Sequence, residues 1–184
     1  MDKYQKACVE ASKKLMLSLE KFFSNKHVVD IIMAEFPHKD ALPVDALHVA
    51  CCQIMIQVAN ADKNFSLAEE EIIKEITGFD VDPEKVKDFT CKYFVNGDGV
   101  PLIVGYACYI EEYYRRNKGI TANAVEGLKR LFSYIISATS GADDEHDIRE
   151  TIARLDIGMK IRPFFEEYER THKAGYLVWA YDIK

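Results

Sequence analysis

The chain is poor in the residues that interrupt helices. Nine glycines and five prolines in 184 residues argue against an all-β or loop-rich fold, which needs frequent turns. Its five cysteines, Cys8, Cys51, Cys52, Cys91 and Cys108, are odd in number and lack CxxC spacing, so neither a disulfide framework nor a zinc site follows. They read as small buried apolar residues in a reducing cytoplasm, the location expected for the chain. Long apolar runs are missing too. The longest uncharged stretch, Ala46 to Ala61, is interrupted by His48, Gln53, Gln57 and Asn60, and is too short and too polar for a membrane span. The opening MDKYQKACVEAS has no apolar core of a signal peptide. Cations are in deficit, 24 Lys and Arg against 30 Asp and Glu for a net charge of −6. This disfavours nucleic acid as a partner, since binding it rests on neutralising phosphates. No nucleophile motif and no phosphate-cradling glycine loop occurs.

What is present is apolar residues at helical spacing. With 48% apolar and 29% charged residues, the chain can bury a sizeable core. Ala7, Ala11, Leu15, Leu19, Phe22 and Phe23 recur at steps of three and four and predict an N-terminal helix over 3–24. Val28 to Phe36 predicts a second helix, stopped by Pro37. A third begins near Pro43, with Leu47, Ala50, Cys51, Ile54, Met55 and Val58 on its inner side. Leu67 to Thr77 predicts a fourth, ended by Gly78. Asp82-Pro83 opens another through Val86, Phe89 and Phe94, followed by a turn at Asn96 to Gly99. Val100 to Tyr114 reads as the central buried helix. Thr121 opens a helix to about Thr139, and two more are expected from Asp147 to about Ile157 and from about Ile161 to Thr171. The expectation is all-α: one compact helical domain over 1–184, of eight or nine helices. An aromatic C-terminal tail, 174–184, holds the only Trp. It is expected to dock on the helices, or to serve as a partner-binding segment.

Charge is unevenly distributed. Residues 1–26 carry +3, whereas Asp62 to Asp88 carries −5 and Asp143 to Glu150 carries −4. The two acidic corners are alike. Ala61-Asp62 is followed by Glu69 and Ala142-Asp143 by Glu150, each Glu seven residues after its Asp. Leu47, Cys51, Ile54 and Met55 pair with Leu128, Phe132, Ile135 and Ile136, which suggests a degenerate helix–acidic loop–helix repeat. An Asp in the loop and a Glu in the first helical turn can converge on one cation. Asp62, Asn64, Ser66 and Glu69 would supply oxygens in the first corner, and Asp143, Asp144 and Glu150 in the second. Such a donor set suits Ca²⁺ or another divalent ion. A calmodulin-type loop does not fit, because position six from Asp62 is Leu67 rather than Gly and position twelve is Ile73 rather than Glu. The same residues also spell helix caps. Ser66-Leu-Ala-Glu69 is a capping-box sequence, and Asp147-Ile-Arg-Glu150 is a similar acidic cap. Neither cap needs an ion.

Val58-Ala-Asn-Ala-Asp62-Lys-Asn-Phe-Ser-Leu-Ala-Glu69 resembles the signature of the tellurite-resistance TerB-like domain, through Ala59, Ala61, Asp62, Phe65, Ser66 and Glu69. Ala142, Asp143 and Glu150 resemble the family's second acidic loop. The resemblance covers about 43–157. It implies an all-helical, non-catalytic module for protein–protein interaction in stress response, associated with membranes through a partner complex. It also implies a divalent cation, Ca²⁺ in particular, at the paired loops. Lys63 and Asp144 stand where the family has Gly, and His146 where an aliphatic residue is expected.

Other assignments compete with this one. A metal-free helical adaptor needs only the acidic corners or the aromatic tail as contact surfaces. Asp45-Ala-Leu-His48 and Glu169-Arg-Thr-His172 have the carboxylate–histidine spacing of di-iron helical bundles, which would make a carboxylate-metal enzyme if they faced one another. Lys6, Lys13, Lys14 and Lys21 lie opposite the apolar stripe of the first helix, as in an ordinary packed amphipathic helix or one docked on an anionic surface. Arg115-Arg116-Asn-Lys118 suits a helix C-terminus.

Overall fold

Seven α-helices carry the fold in the computed structural model, which describes residues 3–37, 39–61, 65–82, 99–140 and 148–171, with several side chains of the last helix, Glu150 among them, outside that description. They are α1 (Lys3–Phe23), α2 (Lys26–Glu35), α3 (Pro43–Ala59), α4 (Leu67–Thr77), α5 (Val100–Lys118), α6 (Ala124–Thr139) and α7 (Ile148–Thr171). The all-helical expectation holds for every described element. The expected helix through Val86, Phe89 and Phe94, the turn at Asn96, and the aromatic tail lie outside the described residues.

Helices α3, α5 and α6 pack on one another and form the centre. α5 is the buried helix its composition predicts: every residue from Val100 to Cys108 is buried. α1 lies chiefly along α6 and also touches α4, α2 packs on α5, and α7 leans on α3 and α5. Ring contacts fix the α2–α5 pair. Phe36 sits edge-on to Tyr106 at 5.0 Å and to Tyr109 at 5.8 Å, and the Tyr106 hydroxyl donates to the Ala41 carbonyl at 3.0 Å. Each ring therefore buries its apolar body while the phenol keeps a partner.

Three sequence expectations need correction. The first concerns the face of α1. Its buried stripe is Gln5, Cys8, Val9, Ser12, Met16, Leu19 and Phe23, whereas Ala7 is exposed and Ala11, Leu15 and Phe22 are half-buried. Two polar residues belong to the inner face. Gln5 earns its place by donating to the Ser140 carbonyl at 3.2 Å, across 135 residues of sequence. The lysines of α1 do lie outward, and Lys13 reaches Glu75 of α4 at 2.8 Å.

The second concerns α7. Two helices, with a break between Ile157 and Ile161, were expected; one helix runs from Ile148 to Thr171 with Pro163 inside it. Proline removes one backbone hydrogen bond and crowds the preceding turn. Ile157, Ile161 and Phe165 nevertheless recur every four residues as one buried stripe, so core packing carries the helix across the break. With that merger, seven helices are described, and the further helix expected within 83–98 lies outside the described residues.

The third is the start of α6, which begins at Ala124 rather than Thr121. Asn123, the residue before it, is left-handed at φ 57° with no side-chain cap. The two carboxylate oxygens of Glu111, from α5, accept instead from the backbone N–H groups of Ala122 at 2.9 Å and Ala124 at 3.0 Å.

Two glycines sit at helix ends. Gly78 ends α4 at φ 76°, a left-handed conformation that side chains disfavour. At Gly99 a Cβ atom would stand 2.0 Å from Gln53 Oε1. That oxygen accepts from the Val100 N–H at 3.3 Å, so α3 holds the first turn of α5.

Candidate functional site

The first acidic corner joins α3 to α4. Of its four candidate ligands, the structure describes Ser66 and Glu69; Asp62 and Asn64 lie outside the described residues. Ser66 is the N-cap of α4, with extended backbone at φ −85°, ψ 157°. Its Oγ accepts from the Glu69 N–H at 3.3 Å. Glu69 Oε2 accepts from the Ser66 N–H at 2.7 Å and from the Ser66 hydroxyl at 2.9 Å. This is a complete capping box, with both reciprocal bonds made. Glu69 is 1% exposed. Burying a carboxylate is costly unless hydrogen bonds compensate it, and these bonds, with the positive end of the helix dipole, supply that compensation. Capping thus accounts for Ser66 and Glu69 without an ion. The far end of α4 is closed as well. Thr77 Oγ1 donates to the Ile73 carbonyl at 2.7 Å and accepts from the Phe79 N–H at 3.3 Å, and Lys74 pairs with Asp80 at 2.6 Å.

The second corner joins α6 to α7. Asp143 and Asp144 lie outside the described residues. Glu150 falls in the first turn of α7, with its side chain outside the description. Convergence of the two corners is therefore not on view. Among the described residues no group of three or more His, Cys, Asp or Glu side chains is placed to hold a metal ion. The enzyme alternative gains no geometry either. Asp45 is exposed, and His48 turns its Nε2 to Glu20 of α1 at 3.0 Å with its ring edge-on to Phe79 at 5.3 Å. The Glu169 side chain and His172 are outside the description. Burial pushes the Cys51 and Cys108 thiols up from their ordinary range, which keeps them protonated and unreactive.

Two features escaped the sequence. One is Glu111, whose carboxylate caps α6 from a neighbouring helix. The signal for it is a pair of acids, Glu111 and Glu112, continuing an otherwise apolar helix; both are buried. Glu112 is held by Arg115 at 2.7 Å and by Arg116. The other is the outer face of α7. Ile152, Leu155 and Met159 are 60%, 63% and 65% exposed. At spacings of three and four residues they make one apolar stripe on the helix. The next positions on that face, Arg162 and Glu166, form an ion pair. Inside this face lies a groove between α6 and α7 of about 410 Å³. Ile136, Ile161 and Phe165 form its apolar lining, and Lys129 and Arg162 bring charge to it. Phe165 lies tilted against Phe132, ring centres 6.2 Å apart, with the Lys129 ammonium 5.5 Å from the Phe165 ring centre. No described helix is long and apolar enough to cross a membrane.

Comparison of the chain with family models, with curated proteins and with solved structures finds no match.

Proposed function

We propose that this chain is a non-catalytic, TerB-like helical module that binds a protein partner through the outer face of α7, working in the cytoplasm in a stress response. The observation that carries the proposal is the stripe of Ile152, Leu155 and Met159, each more than half exposed. Contiguous exposed apolar surface marks contact sites more often than single exposed residues do, and methionine with branched aliphatics suits an adaptable protein contact. The degenerate repeat belongs to the same proposal. Leu47, Cys51, Ile54 and Met55 are buried in α3, as are their partners Leu128, Phe132 and Ile135 in α6. The test places a photo-crosslinking residue at Leu155 or Met159, with exposed Lys14 on α1 as the control position. Capture of one and the same protein from both α7 positions, and not from Lys14, is the expected result. Equal capture at all three would overturn the assignment.

In its cation-dependent form, Ca²⁺ or another divalent ion binds Asp62 and Asp143 and tunes the surface charge of the corners. The capping box at Ser66 and Glu69 favours the metal-free adaptor form, because it already occupies Glu69. Calorimetric titration of the full chain with Ca²⁺, Mg²⁺ and Zn²⁺ separates the two. Heat and a raised melting temperature, both lost in an Asp62→Asn, Asp143→Asn variant, establish the cation form. No heat at millimolar ion leaves the adaptor.

A further inference from the structure

We propose that the partner of the α7 face is a second copy of this chain, packed antiparallel, α7 on α7, about a twofold axis that passes between Leu155 and Met159. The inference deepens the function proposed above and rests on its reading of α7 as a contact face. In such an isologous contact the same surface serves both sides. With the axis at that point, Leu155 of each copy comes level with Met159 of the other. Ile152 comes level with Arg162, whose aliphatic stem covers it while the guanidinium stays in water. Apolar residues thus meet at the centre and charges flank them.

Charge complementarity selects a second copy and its direction. Residues 148–163 hold four cations, Arg149, Arg154, Lys160 and Arg162, against two acids, whereas 164–171 hold three acids against one arginine. The sequence of α7 is therefore net positive over its first two thirds and net negative over its last third. An antiparallel pair sets each acidic end beside the basic beginning of the other copy, and a parallel pair would set like on like. Glu166, which is exposed, comes level with residue 148 of the other copy, at the positive end of that helix's dipole. The two helices overlap from 148 to 166, about 27 Å.

Gly158 supplies a separate observation. Glycine inside a helix is destabilising relative to alanine, and is favoured where another backbone approaches closely. Packing within the chain accounts for Gly127 of α6: a Cβ atom there would stand 3.1 Å from Leu19 Cδ2 of α1. At Gly158, which is exposed, a Cβ atom meets nothing within 4 Å. It lies three residues after Leu155 and four before Arg162, on the flank of the same face, and next to the proposed axis. The interaxial distance of two packed helices is set by the side chains at their contact, so a glycine there lets the two copies of α7 approach closely. Its missing side chain serves a second helix rather than the chain's own packing.

Sedimentation velocity of the purified full chain, over a micromolar to sub-millimolar series, tests the pairing. The contact is small, so a monomer in the low micromolar range and a dimer above it are expected, and in dilute solution α7 stays open. Leu155→Glu and Gly158→Gln change exposed helical positions and leave the core untouched. Each should weaken the dimer several-fold with no loss of helical circular dichroism. Glu166→Gln should weaken it less; a tighter dimer on that change would mean that like ends meet, which overturns the antiparallel arrangement. A chain that stays monomeric throughout overturns the proposal, as does a dimer that Leu155→Glu and Gly158→Gln leave intact. The underlying reading fails or survives separately. A monomeric chain whose Leu155 and Met159 positions still capture one other protein loses the second copy and keeps the contact face. A monomeric chain with no selective capture at α7 loses both.

Discussion

The two helix pairs that flank the acidic corners meet solvent in opposite ways. The pair α3–α4 is closed. In α4, Ile72, Ile73 and Ile76 are all buried and Leu67 alone of the isoleucines and leucines faces out, while side-chain caps satisfy both ends. The pair α6–α7 is open. α7 is 24 residues against 11 for α4. It buries Ile157, Ile161 and Phe165 on one side and leaves Ile152, Leu155 and Met159 in water on the other. A short amphipathic helix matches its apolar stripe to one neighbour. A longer helix with apolar residues on two faces has more apolar surface than its neighbours α3 and α5 cover. Similar sequence units can thus give a structural brace in one place and an exposed apolar face in the other.

Paired substitutions sharpen that contrast most strongly in the core. Ile73→Ala in α4 removes a fully buried side chain and is expected to cost about 2–5 kcal/mol, whereas Leu155→Ala in α7 should stay within about 0.5 kcal/mol. Urea unfolding of the two variants measures both, and comparable losses would mean that α7 is covered like α4. The helix caps come next. Glu111→Ala strips the N–H groups of Ala122, just before α6, and Ala124, its first residue, of their acceptor and should cost about 1–3 kcal/mol. Ser66→Ala, which leaves Glu69 its bond to the Ser66 N–H, should cost about 1 kcal/mol. Thermal melts should rank Glu111→Ala below Ser66→Ala; the reverse order would place the more important cap at the first corner.

The smallest effect is electrostatic. Burial pushes the Glu112 carboxyl up, but the Arg115 and Arg116 guanidiniums outweigh it and hold the group below its ordinary value. A carboxyl lowered in the folded state contributes stability that is present above its unfolded value and is lost as pH falls through the folded one. Melting temperature should therefore fall as the solution is acidified below about pH 4.5. Glu112→Gln should flatten that part of the profile, and an unchanged slope would show that other carboxylates carry it.

Much of this was legible in the sequence because it is local. Gly78 stops α4 by its own conformational freedom, Pro43 opens α3, and Ser66 with Glu69 closes a capping box within four residues. The apolar content of 100–114 announced the central helix. The misreadings have a common cause. Gln5 belongs to the inner face of α1 because of a carbonyl 135 residues away. Thr121 fails to start α6 because Glu111 supplies the cap from another helix. The break expected between Ile157 and Ile161 does not occur, because Ile157, Ile161 and Phe165 are buried along one continuous stripe. At the acidic corners the side chains described, Ser66 and Glu69, are those that local chemistry already accounts for.

By itself, then, the sequence determined that the chain is helical and where most helices begin and end, because propensity, caps and period act within a few residues. It also set the overall acidic balance and its concentration in two corners. Only the tertiary structure decided which face of α1 turns inward, which carboxylate caps α6, and which apolar residues of α7 remain in water. Those outcomes depend on partners far apart in the chain, and no local spacing encodes the geometry that brings them together.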